Sequence, residues 1–417
     1  MLLGPNLRVI SIARELAKTY DVTVVSEGGD PPDLGLDALE FVQWDKLQLS
    51  KKMGEFDLVF SQGLNLPFSA ICFSKAALVM DLYDPILMEQ LGMRRMTGRQ
   101  DTATDRYLAL RTASLLRQGD FFLCASTQQR DLWLGGLYAN GRLVNDPDAS
   151  DDSPDRLVGV VPFGILDTPP EKTGPGVKGV REGINEDDHL LVWGGGIWNW
   201  FDPLTLLEAM KLLRDQNPKI KLLFFARGHH SGCDVINRMA NDTYDRAKEW
   251  GLLDETVFFA EKGVPFQDRM NIIMESDLAV STSPEGMENH FSYRTRLMDA
   301  IWSGLPTVCT RDGFIADWLE DIGGGITVPE SDPQALADAI LEGLQPDRHT
   351  AMKDALLANR HQFYWSECVK PLEAYCKKLE DNPRIPPTKI AGCLAYLTYK
   401  VQAWYALKIE PRLRPRK

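Results

Sequence analysis

Two series of short, nearly all-apolar runs, alternating with stretches of helical periodicity, constrain this chain more than any other feature of its sequence. The first series lies at 22–25, 58–61, 78–82, 121–125 and 158–161, and the second at 190–193, 222–225, 257–260, 278–281, 307–309 and 326–328. Strands that read as continuous apolar runs are buried on both faces, as in a parallel sheet covered by helices. Helical periodicity appears between them, at 107–116 and 204–213, and before the first at 7–18, where Leu7, Ile10, Ala13, Leu16 and Ala17 share a face. Two such βαβ series predict an α/β chain of two doubly wound domains. The length of 417 residues agrees, since domains average about 150 residues. Residues 168–179 read TPPEKTGPGVKG, too rich in Pro and Gly for a packed element, and mark the boundary. The first strand expected of such a fold is almost absent. Residues 1–3 either form a very short strand or follow a beginning that this chain lacks.

Charge narrows the partners. The net charge is −13, which argues against a general nucleic-acid binder. The acidity is uneven: residues 384–417 hold eight Lys/Arg and one Glu, a net +7, leaving −20 for the rest. Five aspartates crowd residues 145–155, but their spacing matches no calcium loop, so a solvated acidic loop is expected. The seven cysteines are scattered without a Cys-x-x-Cys, which suits a reducing compartment and offers no zinc site. No basic segment followed by an apolar one opens the chain, so a cytoplasmic location is expected. In the tail, Ile390, Leu394, Leu397, Val401 and Trp404 form one helical stripe, with Tyr396, Tyr399 and Tyr405 beside it and Lys400 in its midst. That pattern predicts contact with an anionic membrane surface through 384–417, without a span. The alternative is a helix docked on the protein's own acidic body.

Chemistry-bearing residues gather at strand ends. Trp193-Gly194-Gly195-Gly196 closes a strand, and Asp202-Pro203 then opens a helix. A glycine loop feeding a helix N-terminus presents backbone N–H groups and a positive dipole end to a phosphate, though a tight turn without ligand reads the same way. The densest cluster runs from Glu285 through Glu288, His290, Phe291, Ser292, Arg294 and Arg296 to Asp299, with a helix expected to begin near Ser292. Two arginines in a first helical turn oppose the macrodipole unless an anion sits there; the plainer alternative pairs Arg296 with Asp299 at i,i+3. Arg227, with His229 and His230 after it, follows another strand end, and adjacent histidines on no shared face do not make a metal site. In the first domain Asp84 precedes Pro85 at a strand end, either reaching an interdomain cleft or capping a turn, and Ser61-Gln62-Gly63 closes a strand in the same way.

In the order and content of these motifs the chain resembles the family 4 retaining glycosyltransferases of the GT-B fold, over nearly all of residues 4–380. Gly4, Pro5 and Arg8 match the family's N-terminal glycine loop and helix, Val161-Pro162-Phe163-Gly164 the end of its first domain, and Trp193 to Gly196 its donor phosphate loop. Residues 281–285 and 300–306 match the region of its two donor-binding acids. The resemblance implies two Rossmann-like domains facing a cleft: an acceptor domain over 1–165, a nucleotide-sugar donor domain over 166–364 and a crossover helix over 365–383; charge and periodicity set off the basic amphipathic tail over 384–417. It implies transfer of a sugar from a nucleotide sugar to a glycan or lipid-linked acceptor in cell-surface polysaccharide or glycoconjugate synthesis, peripheral to the inner face of the plasma membrane, with no metal or other cofactor. Gly194, Gly195, Gly196, Arg227, Glu288, His290, Phe291, Ser292, Arg296 and Asp299 are the implied donor residues, and Asp84 and Arg294 the implied catalytic ones. Departures are plain. The family's Glu-x7-Glu becomes Phe291 and Asp299, with Glu288 the first-placed substitute for the first acid and Glu285 behind it. Ile197-Trp198-Asn199-Trp200 stand where the family often has Arg and Lys. Arg294, Arg296 or Arg227 must then neutralise the diphosphate. The alternatives are another GT-B enzyme (an inverting transferase or a sugar epimerase) and a non-catalytic sugar-binding protein.

Overall fold

The computed structural model describes residues 4–26, 39–98, 102–143, 153–227 and 237–409. Residues 1–3, Asp146, Asp148, Asp151, Asp152, His229, His230 and the final basic run from Arg412 lie outside the described residues. The chain is α/β and divides into two compact units: residues 2–87, 100–163 and 365–417 form an N-terminal unit, and 164–364 with 88–99 a C-terminal unit.

In the N-terminal unit β1 (Thr23–Ser26) pairs in parallel with β2 (Glu40–Gln43). The strands β3 (Leu58–Ser61), β4 (Ala77–Asp81), β5 (Phe121–Cys124) and β6 (Val158–Val160) form a parallel sheet in that order. Leu78, Val79, Met80, Phe122 and Leu123 are fully buried, which is why these runs show no polar alternation. β2 left no such signature: only Phe41 and Val42 are apolar, between Glu40 and Gln43. The first helix, Gly4–Leu16, begins earlier than its apolar face because Pro5 is tolerated in a first turn, where no N–H partner is needed. The 365–383 segment is two helices, Trp365–Cys368 and Lys370–Asp381, with Pro371 opening the second.

The C-terminal unit holds β7 (His189–Trp193), β8 (Ile220–Phe224), β9 (Val257–Phe259), β10 (Leu278–Ser281), β11 (Thr307–Thr310) and β12 (Gly325–Val328). All are parallel, in the order β12-β11-β10-β7-β8-β9. The order reverses between β7 and β10, so successive connections diverge there and leave a crevice outside the strands' carboxyl ends. Side chains of β7 alternate between two cores. Leu191 and Trp193 pack with Leu206, Met210 and Leu213 of the helix Pro203–Gln216, and Leu190 and Val192 with Ile273, Ala300 and Leu305. The helix Ile86–Thr97 joins this unit through close packing: a Cβ on Gly92 would lie 2.8 Å from that of Trp200, and Arg95 Nη1 donates to the Glu285 carbonyl at 2.8 Å.

Burial also silences most of the thiols. It pushes Cys72 and Cys376 up to about 11, and Cys124 and Cys309 up to about 12. Cys368 is buried as well, while Cys393 is exposed. In a Cys233→Ser background, one thiol is expected to react quickly with an aromatic disulfide reagent at pH 8, and six after denaturation; a second fast thiol in the native protein counts against this packing.

Candidate functional site

The two loops that flank the switch point are built from glycine on one side and arginine on the other. After β7 the chain turns through Gly195 at φ +76°, a left-handed conformation that favours glycine. A Cβ on Gly194 would lie 3.2 Å from the Arg296 carbonyl, so the loops touch backbone to backbone. Trp198 and Trp200 then stack with ring centres 5.3 Å apart, and Asn199 Oδ1 accepts from the Met239 N–H at 3.0 Å. Asp202 caps the helix Pro203–Gln216 by accepting from the Thr205 N–H at 3.2 Å, a contact of about 1 kcal/mol. The Asp202 N–H donates to the Thr282 carbonyl at 3.0 Å, and the Thr282 hydroxyl returns a bond to the Asp202 carbonyl at 2.5 Å. The end of β10 and the start of that helix are thereby stitched together.

After β10 the chain does not enter one helix at Ser292. A short helix, Met287–Phe291, comes first; Ser292 is extended, Thr295–Leu297 make a 3₁₀ turn, and Met298–Ser303 form the next helix. The break has a cause in side chains. Ser292 Oγ donates to Glu288 Oε1 at 2.7 Å, and Arg294 grips both oxygens of Glu288, at 3.0 and 2.9 Å, and Asn289 Oδ1 at 2.9 Å. This fork draws the backbone back over the end of the short helix. The arginines therefore occupy the break, not a first helical turn.

Arg294 and Arg296 differ in their company. The Arg294–Glu288 pair is deeply set, with side chains 11% and 9% exposed. Arg296 lies over Phe201 at 3.7 Å and Trp193 at 4.7 Å from the ring centres, and its Nη2 donates to the Gly196 carbonyl at 2.8 Å. Its Nη1 is enclosed without a hydrogen-bond partner, and among the described residues no carboxylate lies within ion-pair distance of it. Burial, and then the neighbouring Arg294 charge, push the Arg296 guanidinium well below its ordinary range. Glu288, committed to Arg294, offsets this only in part, so an enclosed cation with no ion-pair partner among the described residues stands at the carboxyl end of β7.

The remaining candidates are placed as follows. Asp299 does not pair with Arg296. Arg269 holds it in a fork, at 2.5 and 3.0 Å, while also donating to the Phe266 carbonyl. His290 Nδ1 is 2.6 Å from Asp312 Oδ1, and its ring meets Phe291 edge-on at 4.7 Å. Arg227 leaves the end of β8 to lie over Tyr244, 3.7 Å from the ring centre, with Glu261 at 3.5 Å. Gly4, Pro5, Arg8 and Asp84 belong to the N-terminal unit. Arg8 is fully buried there, forked to Asp81 at 2.7 and 3.0 Å and donating to the Pro162 carbonyl at 3.0 Å, while Asp84 is exposed after β4. Sequence reasoning did not anticipate Arg269, Asp312 or Phe201; they meet Asp299, His290 and Arg296 from 30, 22 and 95 residues away, with no periodic signal to link them. Among the described residues no group of three His, Cys, Asp or Glu side chains is arranged to hold a metal.

A model of the family described as Glycosyl transferases group 1 matches residues 188–345, which contain both loops. A D-inositol 3-phosphate glycosyltransferase of Saccharomonospora viridis is 26% identical over 241 residues, 55% of this chain and 54% of that protein. The chain thus spans about half the length of that relative. Among solved structures, Anabaena HepE in complex with UDP-glucose has a TM-score of 0.63 at 15% identity, covering 91% of this chain and 97% of that one. WaaG, a glycosyltransferase involved in lipopolysaccharide biosynthesis, has a TM-score of 0.57 at 16% identity, covering 90% and 95%. Residues 188–345 thus match the group 1 glycosyl transferase model, within a chain that has the GT-B fold.

Proposed function

We propose that this chain transfers a sugar from a nucleotide-sugar donor to a glycan or lipid-linked acceptor, with retention of anomeric configuration, in the synthesis of cell-surface polysaccharide or glycoconjugate. The observation that carries the reading is Arg296, an enclosed cation with an unpaired Nη1 beside the Gly194-Gly195-Gly196 loop. A diphosphate supplies the missing anion, and the HepE neighbour, solved with UDP-glucose, supports a donor of that class. In the reaction the bond from the anomeric carbon to the diphosphate oxygen breaks, and the acceptor oxygen bonds to the same face. The acceptor proton passes to the departing phosphate. Charge growing on that leaving group is what Arg296 and the loop N–H groups stabilise. The reading assigns no protein nucleophile and no metal. Glu288 acts through Arg294, holding it in place. Asp84 offers an exposed carboxylate for the acceptor from the N-terminal unit.

Asp299 is assigned to the donor's ribose hydroxyls. Two of its lone-pair positions face Arg269, and a carboxylate has about four. Asp299→Asn is expected to weaken UDP-glucose binding by about 1–3 kcal/mol in calorimetry, the scale of hydrogen bonds to a charged group. Unchanged affinity would refute that role. The wider reading is tested by a thermal-shift panel of UDP-, GDP- and ADP-hexoses. At least one is expected to stabilise the wild-type chain, and nucleoside diphosphate is expected to appear only when acceptor is added. Absence of any shift would defeat the reading, and an inverted product anomer in NMR would defeat retention.

A further inference from the structure

The C-terminal helix Lys389–Trp404 has a docked face and an undocked one. On the docked side Gly392 is buried; a Cβ there would lie 2.7 Å from the Phe73 ring and 2.8 Å from the Cys72 carbonyl, so the helix backbone rests against the helix Phe68–Phe73. Further along, Tyr399 meets Phe68 at 3.9 Å between ring centres. The approach to the helix is pinned too: Arg384 lies 2.7 Å from Asp120 and donates to the Ser74 carbonyl at 2.7 Å. The helix is therefore held on the body of the N-terminal unit, as one sequence expectation had it, but not by its large apolar stripe.

That stripe points outward. Ile390, Leu394, Leu397, Val401 and Trp404 are 75%, 60%, 59%, 65% and 60% exposed. At about 100° per residue the five fall within an arc of roughly 80°, along about 21 Å of helix. Lys389 and Lys400 are exposed along one edge of the stripe, and exposed Lys408 follows just past the helix. Five side chains of this size on one face are a large area to leave in water, and helix–body packing is already satisfied elsewhere.

We propose that this stripe is a lipid-docking surface, with the helix lying in the plane of an anionic bilayer at headgroup depth. Charge selects the occupant. The stripe belongs to a segment of net +7 on a chain whose remainder is −20. A second copy bringing the same stripe would set one +7 segment against another, whereas an anionic lipid surface meets it with opposite charge. Trp404 and Tyr405 are amphipathic rings of the kind that settle at such a boundary, and the lysines at the stripe edge can keep their stems on apolar surface and their ammonium groups in water. Among the described residues no helix is long and apolar enough to cross a membrane, so the contact is in-plane. This inference stands apart from the proposed reaction, because its test needs no donor, acceptor or turnover.

The test is co-sedimentation of the full chain with sucrose-loaded vesicles, either of phosphatidylcholine alone or with one quarter phosphatidylglycerol. The wild type is expected to pellet with the anionic vesicles and to be released by high salt. Leu397→Ser/Trp404→Ser is expected to lower partitioning by at least about tenfold, since each side chain loses its apolar transfer. Both residues are more than half exposed, so thermal unfolding of the double variant should match the wild type and show that the fold is intact. In a Cys233→Ser background, a polarity-sensitive fluorophore on exposed Cys393 should shift to the blue on anionic vesicles. Equal pelleting of wild type and variant, or no pelleting of either, overturns the proposal. So does a wild-type dimer in light scattering that the double variant abolishes, which would make a second copy the occupant.

Discussion

Arg296→Met is expected to lower kcat for sugar transfer by roughly 10²–10³-fold, the scale for removing one donor from a site of developing negative charge. The donor KM should change less, because charge on the departing diphosphate grows toward the transition state and the lost interaction is strongest there. Stability should move the other way. Arg296 is a desolvated cation with an unpaired Nη1 and, among the described residues, no carboxylate within ion-pair distance, held over Phe201 and Trp193. An apolar side chain of similar length removes that cost while keeping the ring contacts, so thermal unfolding is expected to be unchanged or raised. A purely structural arginine gives the reverse: lost stability and modest kinetic change. Constant kcat with a raised KM would place Arg296 in ground-state binding alone.

Arg294 supplies the contrast within the same loop. Its guanidinium is committed to Glu288, and both side chains are about nine-tenths enclosed. Arg294→Met leaves the carboxylate buried without its partner, a change that costs roughly 3–5 kcal/mol in comparable pairs. Its activity must therefore be read beside Arg294→Met/Glu288→Met, in which both charges are gone. Activity restored together with stability in the double variant would make the pair a brace for the loop. Activity lost in both would mean that Arg294 itself meets the donor.

What the sequence made legible follows from the range of each signal. Strands such as β4, β5, β10 and β11 show as apolar runs because burial on both faces is a local property of four or five residues. Asp202-Pro203 is readable for the same reason: an N-cap and an N1 proline act within one turn, and the helix Pro203–Gln216 starts there. β2 escaped because two apolar residues between Glu40 and Gln43 carry too short a pattern. The break at Ser292 was hidden for a different reason. Helical propensity and periodicity across 287–303 are adequate, and only the three-dimensional fork of Arg294 on Glu288, with Ser292 beside it, interrupts them. Asp299 was visible from its register with Gly304-Leu305-Pro306, but Arg269, 30 residues away, was not. Local motifs placed the loops; the ion pairs that decide which arginine has a carboxylate needed the sheet order.

A fully buried pairing of the same kind is expected to carry the largest stability effect. Arg8 and Asp81 stand 73 residues apart, and both side chains are fully buried, with Arg8 also donating to the Pro162 carbonyl and lying over Tyr83 at 4.9 Å. The fork joins the helix Gly4–Leu16, the end of β4 and the segment after β6. Burial opposes the arginine's charge, Asp81 favours it, and the net shift is upward. A raised pKa means that this stability is fully present below the ordinary arginine range and is lost only as pH rises through the folded value, so neutral pH does not titrate it. Arg8→Met strands the Asp81 carboxylate and is expected to cost roughly 3–5 kcal/mol, whereas Arg8→Met/Asp81→Leu should recover most of that. Pulsed thiol labelling along a urea gradient, read by mass spectrometry, resolves the effect. Buried Cys72 and Cys124 report the N-terminal unit, and buried Cys309 serves as the reference in the C-terminal unit. The midpoint for Cys72 and Cys124 should fall in the single variant and return in the double. A double variant as unstable as the single would show that the geometry of the fork, beyond its charge balance, holds the three elements together.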